Sequence, residues 1–401
     1  MTISTATRLS KIPFSSIREI FNEANEMEKR GIKLTHMEIG RPDFDTPLHI
    51  KAAANDALQK GFVHYTANQG IPELREVIAE KLKLENNVTV DPNKGVVVSV
   101  GCKEAIVGAI FAFINPGDEV LIPDPAWLEY QYIVELAGGI PVSIPLHETE
   151  GFILRPNDVR DKLNQRTKMI ILNSPHNPTG SVLPEKILKE IAEIAIEANL
   201  LVLSDEIYEK LIYGEVKHVS IASLPGMFER TVIINGFSKA YAMDGWRLGY
   251  AAGPEELIQP ILKVHQYNTS SATSFAQYGA VAAYIGSQEP VYEMVKEFDN
   301  RRQLLINRLL EMENVSCVVP EGAFYVFPSF KEVGMSSKEL ATFLLREAQI
   351  ACVPGSAFGQ YGEGYIRMAY STDYEQINQA MDRLDLALKQ LRVKGNSILE
   401  V

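Results

Sequence analysis

The chain has 401 residues, of which 46% are hydrophobic, 22% charged and 8% aromatic. At ~150 residues per domain this length suggests two or three domains, and the composition excludes a disordered chain or a disulfide scaffold. Lys+Arg number 39 against 51 Asp+Glu, a net charge of −12, which argues against a surface that grips nucleic acid or anionic lipid by charge but leaves room for a small basic pocket.

The first twenty residues, MTISTATRLSKIPFSSIREI, lack the apolar stretch of a secretory signal. The longest apolar run, Ala105 to Ile114, is ten residues, short of the ~18 that suggest a membrane span. Three scattered cysteines, Cys102, Cys317 and Cys352, form no framework of bridges and fit a reducing cytosol. The expectation is a cytoplasmic protein with neither a nucleic-acid nor a membrane partner.

Short β-branched runs then recur at 96–100 (VVVSV), 119–122 (EVLI), 141–145 (PVSIP), 168–172 (KMIIL), 200–204 (LLVLS), 231–235 (TVIIN) and 248–252 (LGYAA). Helical patterns lie between them, clearest at 185–199 (EKILKEIAEIAIEAN), with Pro184 placed as a first-turn proline. Continuous apolar strands alternating with helices predict an α/β layer, a mostly parallel seven-stranded sheet flanked by helices.

From Pro290 a long amphipathic pattern follows, with Val291, Met294, Val295, Phe298, Leu305 and Leu309 on one stripe. Short strands are predicted at 315–319 (VSCVV), 323–327 (AFYVF) and 365–370 (YIRMAY), and helices at 337–348 and 372–391. No linker, internal repeat or low-complexity tract interrupts the chain. The expected organisation is a large domain over 48–290 and a smaller α+β domain assembled from 1–47 and 291–401.

No Cys-x-x-Cys or paired-histidine spacing points to zinc, and no phosphate-binding nucleotide loop or nucleophile elbow is present. Polar residues instead follow successive predicted strands, where open α/β sheets bind ligands. Gly101, Cys102 and Lys103 open a helix after VVVSV, offering backbone N–H groups to a phosphate. Asn177 follows MIIL, Asp205 and Tyr208 follow LLVLS, and Ser238, Lys239 and Arg247 follow TVIIN. Taken singly, each is an ordinary turn residue, helix cap or surface charge. Their collection at the ends of successive strands favours one pocket.

The segment SKAYAMDGWRLG (238–249) resembles the lysine signature of the class I/II aminotransferases, fold-type I enzymes that use pyridoxal 5′-phosphate. The resemblance extends through GRPDFDTP (40–47), YTANQG (65–70), NPTG (177–180), DEIY (205–208), PGSAFG (354–359) and YIRMAY (365–370), in family order. It is nearest to the prokaryotic aspartate aminotransferase branch.

The resemblance implies that Lys239 forms the Schiff base with the cofactor aldehyde and then acts as general acid and base. Asp205 would hold the pyridine nitrogen protonated, and Tyr208 and Asn177 would donate to the phenolic oxygen. Trp127 would stack on the ring and also face substrate. Arg247, Cys102, Lys103, Gly101 and Ser238 would hold the phosphate, with Tyr65 from a partner subunit, which implies a homodimer with composite sites. Arg367 would clamp the substrate α-carboxylate bidentately, assisted by Gly40 and Asn177.

Two positions depart from the family pattern. Gly236 stands where many relatives have a phosphate-binding serine. Arg41 stands where glutamate is common, either as a surface charge or reaching the substrate channel. Lys103 has two readings, a phosphate or surface lysine, or a cation for a substrate's distal carboxylate, with Ser16 adding a hydrogen bond. The second favours aspartate and 2-oxoglutarate in a ping-pong amino transfer. A C–S β-lyase or an aminocyclopropane-carboxylate-synthase-like enzyme would use the same lysine and aspartate. A ligand-sensing regulator would need a basic recognition helix, and none is evident.

Overall fold

The computed structural model describes residues 4–14 and 16–399, without the side chains of 16, 17 and 392–399. Helix α1 (Ser16–Lys29) and the short strand β1 (Thr35–His36) lead into α2 (Leu48–Gln59) and α3 (Pro72–Asn86). The central layer runs β2 (Val96–Ser99), α4 (Gly101–Phe113), β3 (Glu119–Asp124), α5 (Glu129–Leu136), β4 (Ile140–Pro145), α6 (Pro156–Lys162) and β5 (Thr167–Asn173). It continues through α7 (Glu185–Glu197), β6 (Leu201–Asp205), β7 (Thr231–Gly236) and β8 (Gly249–Ala252). Helices α8 (Glu255–Asn268), which packs on α4, and α9 (Ser274–Ile285), which packs on α2, come next.

All seven β-branched runs become strands of one sheet, in the order β2-β8-β7-β6-β5-β3-β4. Strands β2, β3, β6, β7 and β8 are buried at every position, because helices cover both faces. Only β8 runs against its neighbours, pairing antiparallel with β2 and β7. That reversal returns both ends of segment 237–248 to the edge where β5 and β6 end, and so brings Lys239 and Arg247 there. In α7, Leu188, Ile191, Ala192 and Ala195 recur at spacings of three and four and are buried, the mark of an amphipathic helix. Pro184 is extended (ψ 145°) and precedes that helix rather than occupying its first turn.

The last part of the chain starts with α10 (Glu289–Leu310), whose Val291, Met294, Phe298, Leu305 and Leu309 are buried in one stripe. Each such side chain contributes about 1.5–3 kcal/mol by leaving water. Then follow β9 (Tyr325–Val326), α11 (Ser337–Glu347), β10 (Ile350–Ala351), β11 (Val353–Pro354), β12 (Ile366–Ala369) and α12 (Tyr374–Leu399). Ser336 and Glu339 close a capping box on α11. A small antiparallel sheet has the order β11-β12-β9, while β1 pairs in parallel with β10 and ties the N-terminal segment to this region.

The strand predicted at 315–319 does not form. Val315 and Val318 pack against different cores, and only Ser316 finds a backbone partner, an isolated bridge to Ser329. Helix α12 runs past 391 to Leu399. Among the described residues no helix is long and apolar enough to cross a membrane.

Candidate active site

A cavity of about 530 Å³ opens at the carboxyl edge of the large sheet. Lys239 reaches it from the β7–β8 connection, and its Nζ donates to the Gly40 carbonyl at 2.5 Å. The ammonium stands 5.9 Å from the Tyr208 ring centroid and 5.8 Å from that of Phe324. Burial lowers its pKa to about 8; Asp244 and the Cys102 thiol oppose the shift, while Arg367 and Arg247 add to it. Near neutral pH a share of Lys239 is therefore free amine, the form that can take up a proton.

Asp205 is the last residue of β6 and only 4% exposed. Its Oδ2 accepts from the Tyr130 hydroxyl at 2.5 Å, and its Oδ1 from the Ile207 N–H at 3.3 Å. Burial still raises its pKa to about 6, against the pull of those two donors. A cationic N–H placed against it would return it to the ionised state.

Arg367, on β12, is 2% exposed. Its Nη2 donates to the Glu38 carbonyl at 2.6 Å and its Nη1 to Asn177 Oδ1 at 3.2 Å. The guanidinium lies 4.6 Å from the Tyr325 ring and 4.9 Å from the Phe358 ring. Its Nε is buried without a hydrogen-bond partner. Among the described residues no carboxylate pairs with this cation, so the fold presents a desolvated charge that an anionic ligand would complete. Asn177 is oriented in turn by its own N–H, which donates to Asn173 Oδ1 at 2.9 Å.

The opposite end of the cavity is built from α4 and the β7–β8 segment. Gly101 opens α4 at φ +75°, and a Cβ there would lie 2.5 Å from Arg247 Nη2. Arg247 Nη1 donates to the Asp244 carbonyl at 3.0 Å. Cys102, Ser238 and Arg247 line the cavity here, so a helix N-terminus and a guanidinium face the same space. A Cβ on Gly236 would sit 2.8 Å from Gly249 Cα and 2.9 Å from Cys102 Sγ. The backbone of Leu248 and Gly249, together with Cys102, thus leaves no room for a serine at 236.

Gly40, Lys103 and Trp127 also line the cavity, whereas Tyr65 is 92% exposed and outside it. Arg41 is exposed and does not line it. The Ser16 side chain lies outside the described residues. Several lining residues escape sequence reasoning. Tyr130 carries no sequence expectation of its own and Tyr325 reads as a strand residue, yet Tyr325 shares a 2.8 Å hydrogen bond with Tyr208. Tyr130 lies three residues after Trp127, the only sequence hint to it. Arg18 reaches the cavity from α1 with no motif around it.

Behind Asp205, Glu206 accepts from Ser204, Ser220 and His218, and Glu209 from Lys81 and Asn86. Glu206, Glu209 and His218 have the spacing of metal ligands, but the Lys81 ammonium already supplies the cation there.

The sequence model of the family described as "Aminotransferase class I and II" matches residues 32–384. The chain is 48% identical over 393 residues to the aspartate aminotransferase of Pyrococcus abyssi, covering 98% of this chain and 100% of that protein. It is 44% identical, with the same coverage, to aromatic-amino-acid aminotransferase 2 of Thermococcus litoralis. The solved structure of the Thermus thermophilus aspartate aminotransferase with maleate matches it with a TM-score of 0.92 at 36% identity, over 96% of this chain and 100% of that one.

Proposed function

The chain belongs to the class I and II aminotransferases, pyridoxal 5′-phosphate enzymes, and from that premise we propose that the cavity around Lys239 is the site of an aspartate-type amino transfer to a 2-oxo acid. The buried Arg367, without an ion pair and with its Nε unpartnered, carries this reading, since an amino acid or 2-oxo acid brings a carboxylate to it.

The residues present fit the cofactor. The α4 N-terminus, Arg247 and Ser238 would hold its phosphate, Asp205 its ring nitrogen, Tyr208 and Asn177 its phenolic oxygen, and Trp127 its ring face. When bound, the cofactor supplies a carbonyl for the amino group and an electron-accepting ring. Lys239 Nζ takes the proton from the substrate Cα and returns it, a task suited to an amine with a pKa of about 8. Arg367 holds the α-carboxylate by its fork, and Asn177 and the Glu38 carbonyl fix the guanidinium plane. Tyr130 orients the Asp205 carboxylate, which keeps a proton on the ring nitrogen. The two halves of the exchange follow one another at this single site, as in the family's ping-pong scheme.

The relatives named for aspartate and the neighbour bound to maleate support an acidic substrate, with Lys103 on the cavity wall as the cation for its distal carboxylate. Exposed Tyr65, Leu48, Val63 and Tyr267 support a homodimer in which Tyr65 serves the partner's cofactor. We read 48–290 as the cofactor-binding domain and 1–47 with 291–401 as the small one. Cytoplasmic residence is part of the same proposal, and the free cysteines suit it. Incubation with aspartate and 2-oxoglutarate tests the function: glutamate formation is expected, whereas pyruvate and ammonia released from cystathionine, without glutamate, would make the enzyme a lyase.

A further inference from the structure

The tetrapeptide at 127–130 joins three features of the cavity wall. Trp127 and Tyr130 line the cavity, and Tyr130 is committed to Asp205. Between them Glu129, the first residue of α5, forms an ion pair with Lys103, in the first turn of α4. The Lys103 ammonium also stands 5.4 Å from the Trp127 ring centroid. The Lys103 and Glu129 side chains are 50% and 36% exposed. Water therefore reaches the pair, and a pair of that kind is weak enough for another carboxylate to exchange into it. Arg18, also on the cavity wall, makes no ion pair among the described residues and adds no competing carboxylate.

We propose that Glu129 determines side-chain specificity by competing with the substrate's distal carboxylate for Lys103. The inference rests on the reading of this cavity as the aminotransferase site with Lys103 toward the substrate side chain. An acidic substrate must displace Glu129 before it gains Lys103. A neutral or aromatic side chain leaves the Lys103–Glu129 pair closed and lies against the Trp127 indole and the lysine stem. The carboxylate of Glu129 thus moderates a preference for acidic substrates that Lys103 alone would make stronger, and it keeps the site open to aromatic ones.

The test compares the wild-type holoenzyme with Glu129→Gln, Lys103→Gln and the double variant. Two quantities are read: the ratio of kcat/KM for aspartate to that for phenylalanine, and the Kd of maleate, a non-reacting dicarboxylate, by absorbance titration of the bound cofactor. In Glu129→Gln the ratio rises and the maleate Kd falls, each by about two- to fivefold, the size expected of a water-exposed ion pair. In the Lys103→Gln background the Glu129 substitution changes neither. An unchanged ratio and Kd in Glu129→Gln, or the same gain without Lys103, overturns the proposal. Wild-type enzyme that does not turn over aspartate at all overturns instead the functional reading beneath it.

Discussion

The hydroxyls of Tyr208 and Tyr325 lie 2.8 Å apart, both rings buried, and the Tyr325 ring carries the Arg367 guanidinium at 4.6 Å. One tyrosine thus links Tyr208 to Arg367, the residue proposed to hold the substrate carboxylate. It also crowds Gly40, where a Cβ would lie 2.6 Å from the Tyr325 hydroxyl.

Tyr325→Phe and Tyr325→Ala should therefore differ in kind. The phenylalanine keeps the ring under Arg367 and removes only the hydrogen bond, so kcat should fall by about three- to tenfold with a smaller change in KM. The alanine also strips the guanidinium of its platform, so KM for the amino acid should rise as well. Steady-state kinetics of both variants decide the matter, and an equal KM for the two would contradict the coupling.

Arg367→Met should separate stability from function. It removes a buried cation that makes no close ion pair, the buried Glu38 carboxylate acting on it only at longer range, so thermal unfolding of the apoenzyme should move to higher temperature, by an amount of order 1 kcal/mol in stability. The same variant should raise KM for amino acid and oxo acid by at least about tenfold, because the bidentate clamp is gone. Calorimetry and kinetics on one preparation check both halves. Arg367→Lys should recover little of the affinity, since an ammonium cannot reproduce the planar fork.

Asp205 makes the apoenzyme's stability depend on pH. Its pKa is raised to about 6 in the fold from an ordinary 3.8. The stability attached to its protonated form is thus complete below 3.8 and is lost as the pH rises through about 6, a difference of roughly 3 kcal/mol. Apoenzyme carrying Asp205→Asn should therefore be more stable than wild-type apoenzyme at pH 7, and the gap should close near pH 4. Denaturant melts across that range measure it. With cofactor bound, the gap at pH 7 should shrink, because a protonated ring nitrogen favours the ionised carboxylate.

The sheet was legible because β2, β3 and β6 to β8 are buried at every position and so carry apolar runs that no surface strand needs. The positions of Asp205, Asn177 and Lys239 were legible for a related reason: a polar residue directly after such a run lies at the sheet edge. Tyr130 and Tyr325 were not legible, since a buried tyrosine in a helix or strand looks like core until its hydroxyl partner is seen. The run at 315–319 misled because β-branched residues report side-chain burial, whereas a strand needs backbone partners, and only Ser316 has one. Nothing in the residues around Arg18 shows that α1 delivers it to the cavity, because that placement depends on the rest of the fold.

The central claim is that Lys239 Nζ moves the Cα proton in an amino transfer. Its most direct test is single-turnover conversion of cofactor-loaded enzyme by aspartate, wild type against Lys239→Ala, followed by absorbance. The account predicts a fall in rate of at least about 10³-fold, within the range for loss of a positioned acid–base group that also binds the cofactor. A Lys239→Ala enzyme converting aspartate at the wild-type rate would contradict it.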